Sequence, residues 1–156
     1  MNGRVFNAVA RCFKDNHWEY LWVEIGGEIR LFTLVQMKNS DFLCMGRVRE
    51  EKNEFVFYTY YDVKAPASKR QEAAEFFARV NDSLMLGNFE MDMEDGEAYF
   101  RAGIAVADQH ISSSEIKYLM LIGLSTTDYY LPGLMTVISR EEPPKGAVAL
   151  LEGAAV

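Results

Sequence analysis

Apolar residues at the start of the chain recur at helical spacing. Val5, Phe6, Val9, Ala10 and Phe13 fall at steps of three and four and make one stripe between Asn2 and Asn16. A short amphipathic helix is predicted there. The next block is rich in β-branched and aromatic residues and is punctuated by the turn residues Gly26-Gly27, Lys38-Asn39-Ser40 and Lys52-Asn53. It reads as an antiparallel meander, with strands from about Glu28 to Met37, Asp41 to Arg49 and Glu54 to Tyr61. Trp18 to Ile25 fits either one more strand or the exit from the first helix.

Ala65-Pro66-Ala67 closes this block, and Ser68 with Gln71 then has the spacing of a capping box. The helix it would open turns Ala73, Phe76, Phe77, Val80 and Leu84 inward, and Gly87 is expected to stop it as a left-handed cap. Asn88 to Met93 and Glu97 to Val106 read as two strands around Asp95-Gly96, the pair that suits a two-residue type I′ turn. Counting from that turn sets Met91 opposite Phe100, Phe89 opposite Ala102 and Glu90 opposite Arg101. One face is then apolar and the other carries an ion pair. Ser112 and Glu115 form a second capping box, opening a helix in which Ile116, Leu119, Met120 and Gly123 share a face. Pro132-Gly133 is expected to break or bend it, with Leu134, Val137 and Ile138 continuing the apolar pattern. Residues 1–140 are expected to form a single α+β domain, and 141–156 a mobile tail rich in proline and alanine.

Composition narrows the functional classes. With 156 residues, 49% hydrophobic and 25% charged, the chain can bury roughly 70% of its unfolded surface without staples. Sixteen basic against 23 acidic residues give a net charge of -7, which repels phosphate backbones and anionic lipid. Nucleic acid and membrane are therefore not expected as partners. Lys64, Lys69 and Arg70, the densest basic cluster, read as the solvated start of a helix. No apolar run approaches the ~20 residues of a membrane span and no export signal opens the chain, so a cytoplasmic location is expected.

Reactive groups are few. Cys12 and Cys44 have the spacing of neither a zinc site nor a redox pair and read as buried, reduced thiols. His17 and His110 are not spaced with Cys, Asp or Glu as metal ligands. The acidic run Glu90, Asp92, Glu94, Asp95 and Glu97 fails as a calcium loop, because with Gly96 as the turn glycine Met91 and Met93 would have to be ligands. Neither a G-x-S-x-G elbow nor a phosphate-binding glycine loop is present. The expectation is no catalytic residue, no cofactor and no metal.

The stretch from Ala73 to Val106 resembles the YbjN-like family, above all at Asn81, Leu84, Gly87-Asn88-Phe89-Glu90, Asp95-Gly96-Glu97 and Phe100-Arg101. In that family a helix ends in an Asn-x-x-Leu-x-x-Gly-x-Phe pattern before a hairpin. The similarity continues through Asp128-Tyr129-Tyr130-Leu131-Pro132 and extends more weakly back to Glu28–Tyr61. The resemblance implies a bacterial protein with an α+β fold like that of type III secretion chaperones. Such a fold is a twisted antiparallel sheet with helices packed mainly on one face, often paired as a homodimer. The family is described as regulatory, without an assigned biochemical activity. Trp18-Glu19-Tyr20-Leu21-Trp22 and the tail after Arg140 fall outside the resemblance.

The strand from Phe55 to Tyr61 is apolar or aromatic on both faces, whereas a strand with one solvated face normally alternates with charge. Phe55, Phe57 and Tyr61 share one face, Val56, Tyr58 and Tyr60 the other. Phe55, Phe57, Tyr58, Tyr60 and Tyr61 are thus candidate interface residues, the set that turns away from the helices forming the contact patch. The function expected is a non-enzymatic, chaperone-like or regulatory module that binds a protein partner and forms a homodimer. A small-ligand sensor with a pocket between sheet and helices is the alternative, and an unrecognised enzyme the second.

Overall fold

Helix α1, Arg4–Asp15, buries Val5, Phe6, Val9, Cys12 and Phe13, the stripe that its periodicity marks. Gly3 supplies no side-chain cap. Instead the Glu50 carboxylate accepts the N–H groups of Val5 and Phe6, at 3.1 and 2.6 Å. An anion there meets the unpaired N–H groups and the positive end of the helix dipole together. Glu50 opens a 3₁₀ turn, Glu50–Lys52, so these bonds tie a turn of the sheet to the first helix.

This computed structural model describes residues 3–107 and 110–153. Strands β1 (Leu21–Ile25), β2 (Glu28–Gln36), β3 (Asp41–Arg49) and β4 (Glu54–Tyr60) follow one another in an antiparallel meander. β6 (Ala98–Ala105) lies beside β4, and β5 (Asn88–Met91) forms the far edge, giving six strands in the order β1-β2-β3-β4-β6-β5. The segment from Trp18 to Ile25 thus resolves as a short edge strand. Gly26 and Gly27 join β1 to β2 with φ of 61° and 79° and Ile25 opposite Glu28. Positive φ at both central residues is the type I′ requirement.

The β5–β6 hairpin departs from the expected register. Phe89 faces Phe100 rather than Ala102, Glu90 faces Tyr99 and Met91 faces Ala98. The cause is Asp92, which closes a longer loop: its N–H donates to Glu97 O, its carbonyl accepts from Gly96 N, and its carboxylate accepts from Glu94 N, each at 2.8 Å. Only Gly96 of the expected turn pair has positive φ, at 80°. The slip is even, so each side chain keeps its face. Glu90 and Arg101 still pair, diagonally rather than directly across.

Helix α2, Arg70–Ser83, buries Ala73, Phe76, Phe77 and Val80. Ser68 does not cap it. Pro66 starts a 3₁₀ turn over Ala67–Lys69, which places Ser68 inside the turn, with its hydroxyl 3.5 Å from Arg140 Nη2. Nor does Gly87 end the helix, whose last turn stops at Leu84. Gly87 lies further on, with φ of 73°, where a Cβ would stand 2.7 Å from Phe100 Cε1 and 2.8 Å from the Arg101 carbonyl oxygen. The Asn81 side chain joins helix to strand, accepting from Phe89 N at 2.7 Å and donating to Phe89 O at 3.0 Å. It occupies the place of a further strand on the edge of β5, so the family-like Asn, Gly and Phe form one structural lock.

Helix α3, Ser113–Ser139, begins with the Ser112–Glu115 capping box and runs through Pro132 without a break. Proline deprives the carbonyl four residues earlier, that of Asp128, of its helical donor. Asn39 from the β2–β3 turn supplies one: its Nδ2 donates to Asp128 O at 3.0 Å, and its N–H donates to Asp128 Oδ1 at 2.8 Å. The segment after Arg140, expected as a mobile tail, instead forms α4, Pro144–Gly153. Proline is well suited to a first helical position. α4 buries Pro144, Ala147 and Val148 against α2 and α3, and Glu152 accepts from Ser83 Oγ at 2.8 Å and Tyr130 Oη at 3.2 Å.

α3 packs on β4 and β6, α1 on β3 and α2 on β5. Between them lie Leu31, Phe42, Phe55, Phe57 and Phe100 from the sheet and Ile116, Met120, Leu124 and Leu134 from α3, all buried. Each such side chain contributes about 1.5–3 kcal/mol on removal from water. Tyr61 packs against both Phe77 and Phe89, and its hydroxyl donates to Thr127 O at 2.9 Å. Replacing Asn81 by Ala strips Phe89 of two partners at once. Asn81→Ala is expected to cost about 2 kcal/mol, read as a lowered urea midpoint with an unchanged slope.

Candidate functional site

The period of two along each strand divides the sheet into a covered and an open face. Ile29, Leu31, Thr33 and Val35 of β2 are buried toward the helices, while Arg30, Phe32, Leu34 and Gln36 point the other way. Among the described residues no helix packs over the second face. Its side chains form rows by cross-strand register. One row is Leu34, Leu43, Tyr60, Tyr99 and Glu90. The next is Leu21, Phe32, Met45, Tyr58 and Arg101, and the third is Val23, Arg30, Arg47, Val56 and Gly103.

Of the five candidate interface residues, Phe55, Phe57 and Tyr61 lie on the covered side and are buried in the core, where no partner reaches them. Tyr58 and Tyr60 lie on the open face with Tyr99, their rings packed together at centroid distances of 5.3–6.2 Å. Tyr58 is only 8% exposed, because its neighbours cover it. The most exposed apolar residues in the rows that hold the tyrosines were not singled out from the sequence: Leu21 is 78% exposed, Leu34 65% and Leu43 48%. Their signal was present in β2 and β3, where both alternating sets contain large apolar side chains. β1 is exposed along its whole length on both faces.

A groove of about 1430 Å³ begins at these leucines. It runs over the sheet edge beside the stretch that precedes Leu21, before β1 pairs with β2, and is lined by Trp18, Tyr20, Phe32, Leu34, Leu43 and the last turns of α1. No strand pairs with β2 on that side beyond Phe32. The groove thus lies at an edge and not in the space between sheet and helices, where a ligand pocket was expected.

Charge occupies the adjoining part of the open face. Glu28 binds Arg47 through Nε at 2.7 Å and Nη2 at 2.6 Å, and this bonding lowers the Glu28 carboxyl pKa and raises that of Arg47. Arg49 pairs with Glu54 and Arg101 with Glu90, while Tyr99 Oη donates to Glu90 at 2.8 Å. The thiols are inert, both buried and unpaired, with burial pushing Cys44 up to about 12. Among the described residues no group of three His, Cys, Asp or Glu is placed to hold a metal ion. His110 contacts Arg4 Nη1 at 2.9 Å, and His17 sits in the turn after α1.

The family model described as "YbjN: Putative bacterial sensory transduction regulator" matches residues 6–135. The chain belongs to the YbjN family. The match takes in Trp18–Trp22, which stood outside the sequence resemblance, and ends within α3, before α4. That description is of a regulator of sensory transduction. A solved structure titled "Crystal structure of YbjN, a putative transcription regulator from E. coli" aligns with 87% of this chain and 90% of that chain, at 11% identity and a TM-score of 0.48. No curated protein matches the chain. In this YbjN-family chain some residues that carried the resemblance, Asn81, Gly87, Phe89 and Asp128, hold elements together, whereas Glu90 and Arg101 lie on the open face.

The open-face phenols give the site a pH signature. Burial pushes Tyr60 and Tyr99 up to about 12, with Tyr58 adding to the shift of Tyr60 and the Glu90 hydrogen bond to that of Tyr99. A free phenol titrates near 10, so between about pH 10 and 12 the unfolded chain gives up protons that the folded chain keeps. Stability is complete below that window and falls as pH rises through it. Urea unfolding at stepped pH is expected to show this loss, and Tyr60→Phe or Tyr99→Phe to flatten it.

Proposed function

We propose that this chain is a non-enzymatic regulatory module that binds protein through its open sheet face, in the manner of a chaperone, and that it pairs there with a second copy of itself. The observation that carries the reading is the contiguous apolar strip of Leu21, Phe32, Leu34 and Leu43, joined by register and left in water. Soluble monomers rarely leave such strips uncovered, and an uncharged edge strand invites pairing. In β1, Leu21-Trp22-Val23-Glu24-Ile25, only Glu24 is charged. The neighbouring tyrosines fit the aromatic enrichment of interface cores.

The edge groove supports a polypeptide occupant over a small molecule. Pockets that enclose small ligands run to about 300–1,000 Å³, and this one, at about 1430 Å³, is larger and borders an unpaired stretch of β2. An extended segment can add to such an edge through backbone hydrogen bonds. The net charge of -7 disfavours nucleic acid. No helix among the described residues is long and apolar enough to cross a membrane.

Light scattering is expected to report about twice the chain mass of 17.8 kDa. The double variant Leu34→Glu, Leu43→Glu is expected to return it to a single chain while the circular dichroism of the fold is kept. A wild-type chain that scatters as a monomer across the micromolar range would remove self-pairing from the proposal.

A further inference from the structure

The third row of the open face contains an arrangement that an apolar docking strip does not require. Arg30 and Arg47 stand directly opposite each other on β2 and β3, where like charges are destabilising. Arg47, Arg49 and Arg101 then line one hollow of about 270 Å³ together with Glu54, Tyr58 and Gly103. Such a concentration of guanidinium is unexpected in a chain of net charge -7.

The carboxylates that hold these arginines stand mostly outside the hollow. Glu28 and Glu90, the partners of Arg47 and Arg101, are not part of its wall, and Glu54 is the only acid that is. The lining therefore carries three guanidiniums against one carboxylate. A guanidinium has five N–H donors, and even the two-bond pair with Glu28 occupies only two of those on Arg47. The carboxylates fix the arginine side chains in place and leave donors to spare.

Gly103 is an independent observation. It lies inside β6, opposite Val56, with the register unbroken on both sides, so no bulge explains it. Its φ is not positive and it is exposed, and a Cβ there would stand 3.2 Å from Val56 Cγ2 on the neighbouring strand. Glycine inside a regular strand weakens the strand and marks places where a ligand approaches the backbone closely. Here it lowers the floor of the hollow between the arginines.

We propose that this hollow binds the phosphate of a phosphomonoester, held by Arg47, Arg49 and Arg101 over Gly103. Each guanidinium is paired with one carboxylate and keeps further N–H donors free, and a phosphate brings three acceptor oxygens to them. A carboxylate has only two oxygens and one charge to offer three guanidiniums, and planar guanidinium forks suit phosphate geometry. The volume is just under the roughly 300 Å³ at which pockets begin to enclose a whole small ligand. It takes a head group, with the rest of the molecule lying outside. The site does not depend on the leucine strip: Leu34 and Leu43 stand in another row, and Leu21 and Phe32 lie at the opposite end of the row that reaches Tyr58 and Arg101.

Calorimetric titration of the full chain with inorganic phosphate, against sodium chloride of equal ionic strength, tests it. Saturable binding is expected in the millimolar range or tighter. Arg101→Gln and Gly103→Leu, the second filling the hollow with no change of charge, are each expected to weaken it about tenfold, or about 1.4 kcal/mol. Leu34→Glu with Leu43→Glu should leave it intact, which separates this site from the self-pairing surface. Titration with free phosphoserine and with the same residue inside a short peptide then distinguishes a phosphorylated metabolite from a phosphorylated protein by which binds tighter. Heat no different from the chloride reference, or equal affinity in folded Gly103→Leu, would overturn the proposal.

Discussion

Helix α3 sits on the sheet at a position where it has no side chain. A Cβ at Gly123 would lie 3.1 Å from Phe57 Cδ1 and 3.2 Å from Thr59 Oγ1, so the backbone of the helix rests almost directly on β4. Hydrogen bonds from two more residues fix that seat. Tyr61 donates to the Thr127 carbonyl one turn along, and Asn39 clamps Asp128 beside it. With α3 held there, α1 and α2 pack beside it, on the same side of the sheet. α4 closes over the outside of α2 and α3, where Gly133 gives Phe76 and Leu151 room to meet the helix.

One-sided covering leaves the other face to water, and that face is not the uniformly polar surface which an exposed antiparallel sheet usually presents. It is divided by rows. Leucines lie toward the β1 edge, the tyrosine cluster lies across β4 and β6, and beside both lies a ladder of arginines and glutamates. The ladder is neutralised pair by pair, so it contributes little to stability at the surface. What it does is hold long side chains in fixed places over a glycine floor. The apolar rows and the guanidinium hollow are thus two different surfaces on one rigid support, each available without any movement of the core.

Much of the fold was legible from residue order. The meander strands, the amphipathic α1 and the Ser112–Glu115 box all arise from interactions within a few residues, where period and capping chemistry speak directly. Where the reading slipped, a contact from elsewhere decided the outcome. Asp92 lengthened a turn for which Asp95-Gly96 alone would have sufficed. Pro66 drew Ser68 into a 3₁₀ turn, and packing on α2 and α3 turned a small-residue tail into α4. Pro132 was read as breaking or bending the helix, and the missing bond to the Asp128 carbonyl was instead supplied by Asn39, 89 positions earlier in the chain.

The candidate surface divides along the same line. Alternation by itself determined that Tyr58 and Tyr60 share one face and that Phe55, Phe57 and Tyr61 share the other, because successive side chains of a strand must point oppositely. Local pattern also determined that the chain lacks the clustered reactive groups of a recognisable catalytic motif. Which face the helices would cover was beyond it, since both sets are apolar and either could have been core. Only the packing of α3 on Phe57 settled that question. Only the strand order β3-β4-β6 brought Arg47, Arg49 and Arg101 around Gly103, residues that no spacing along the chain connects.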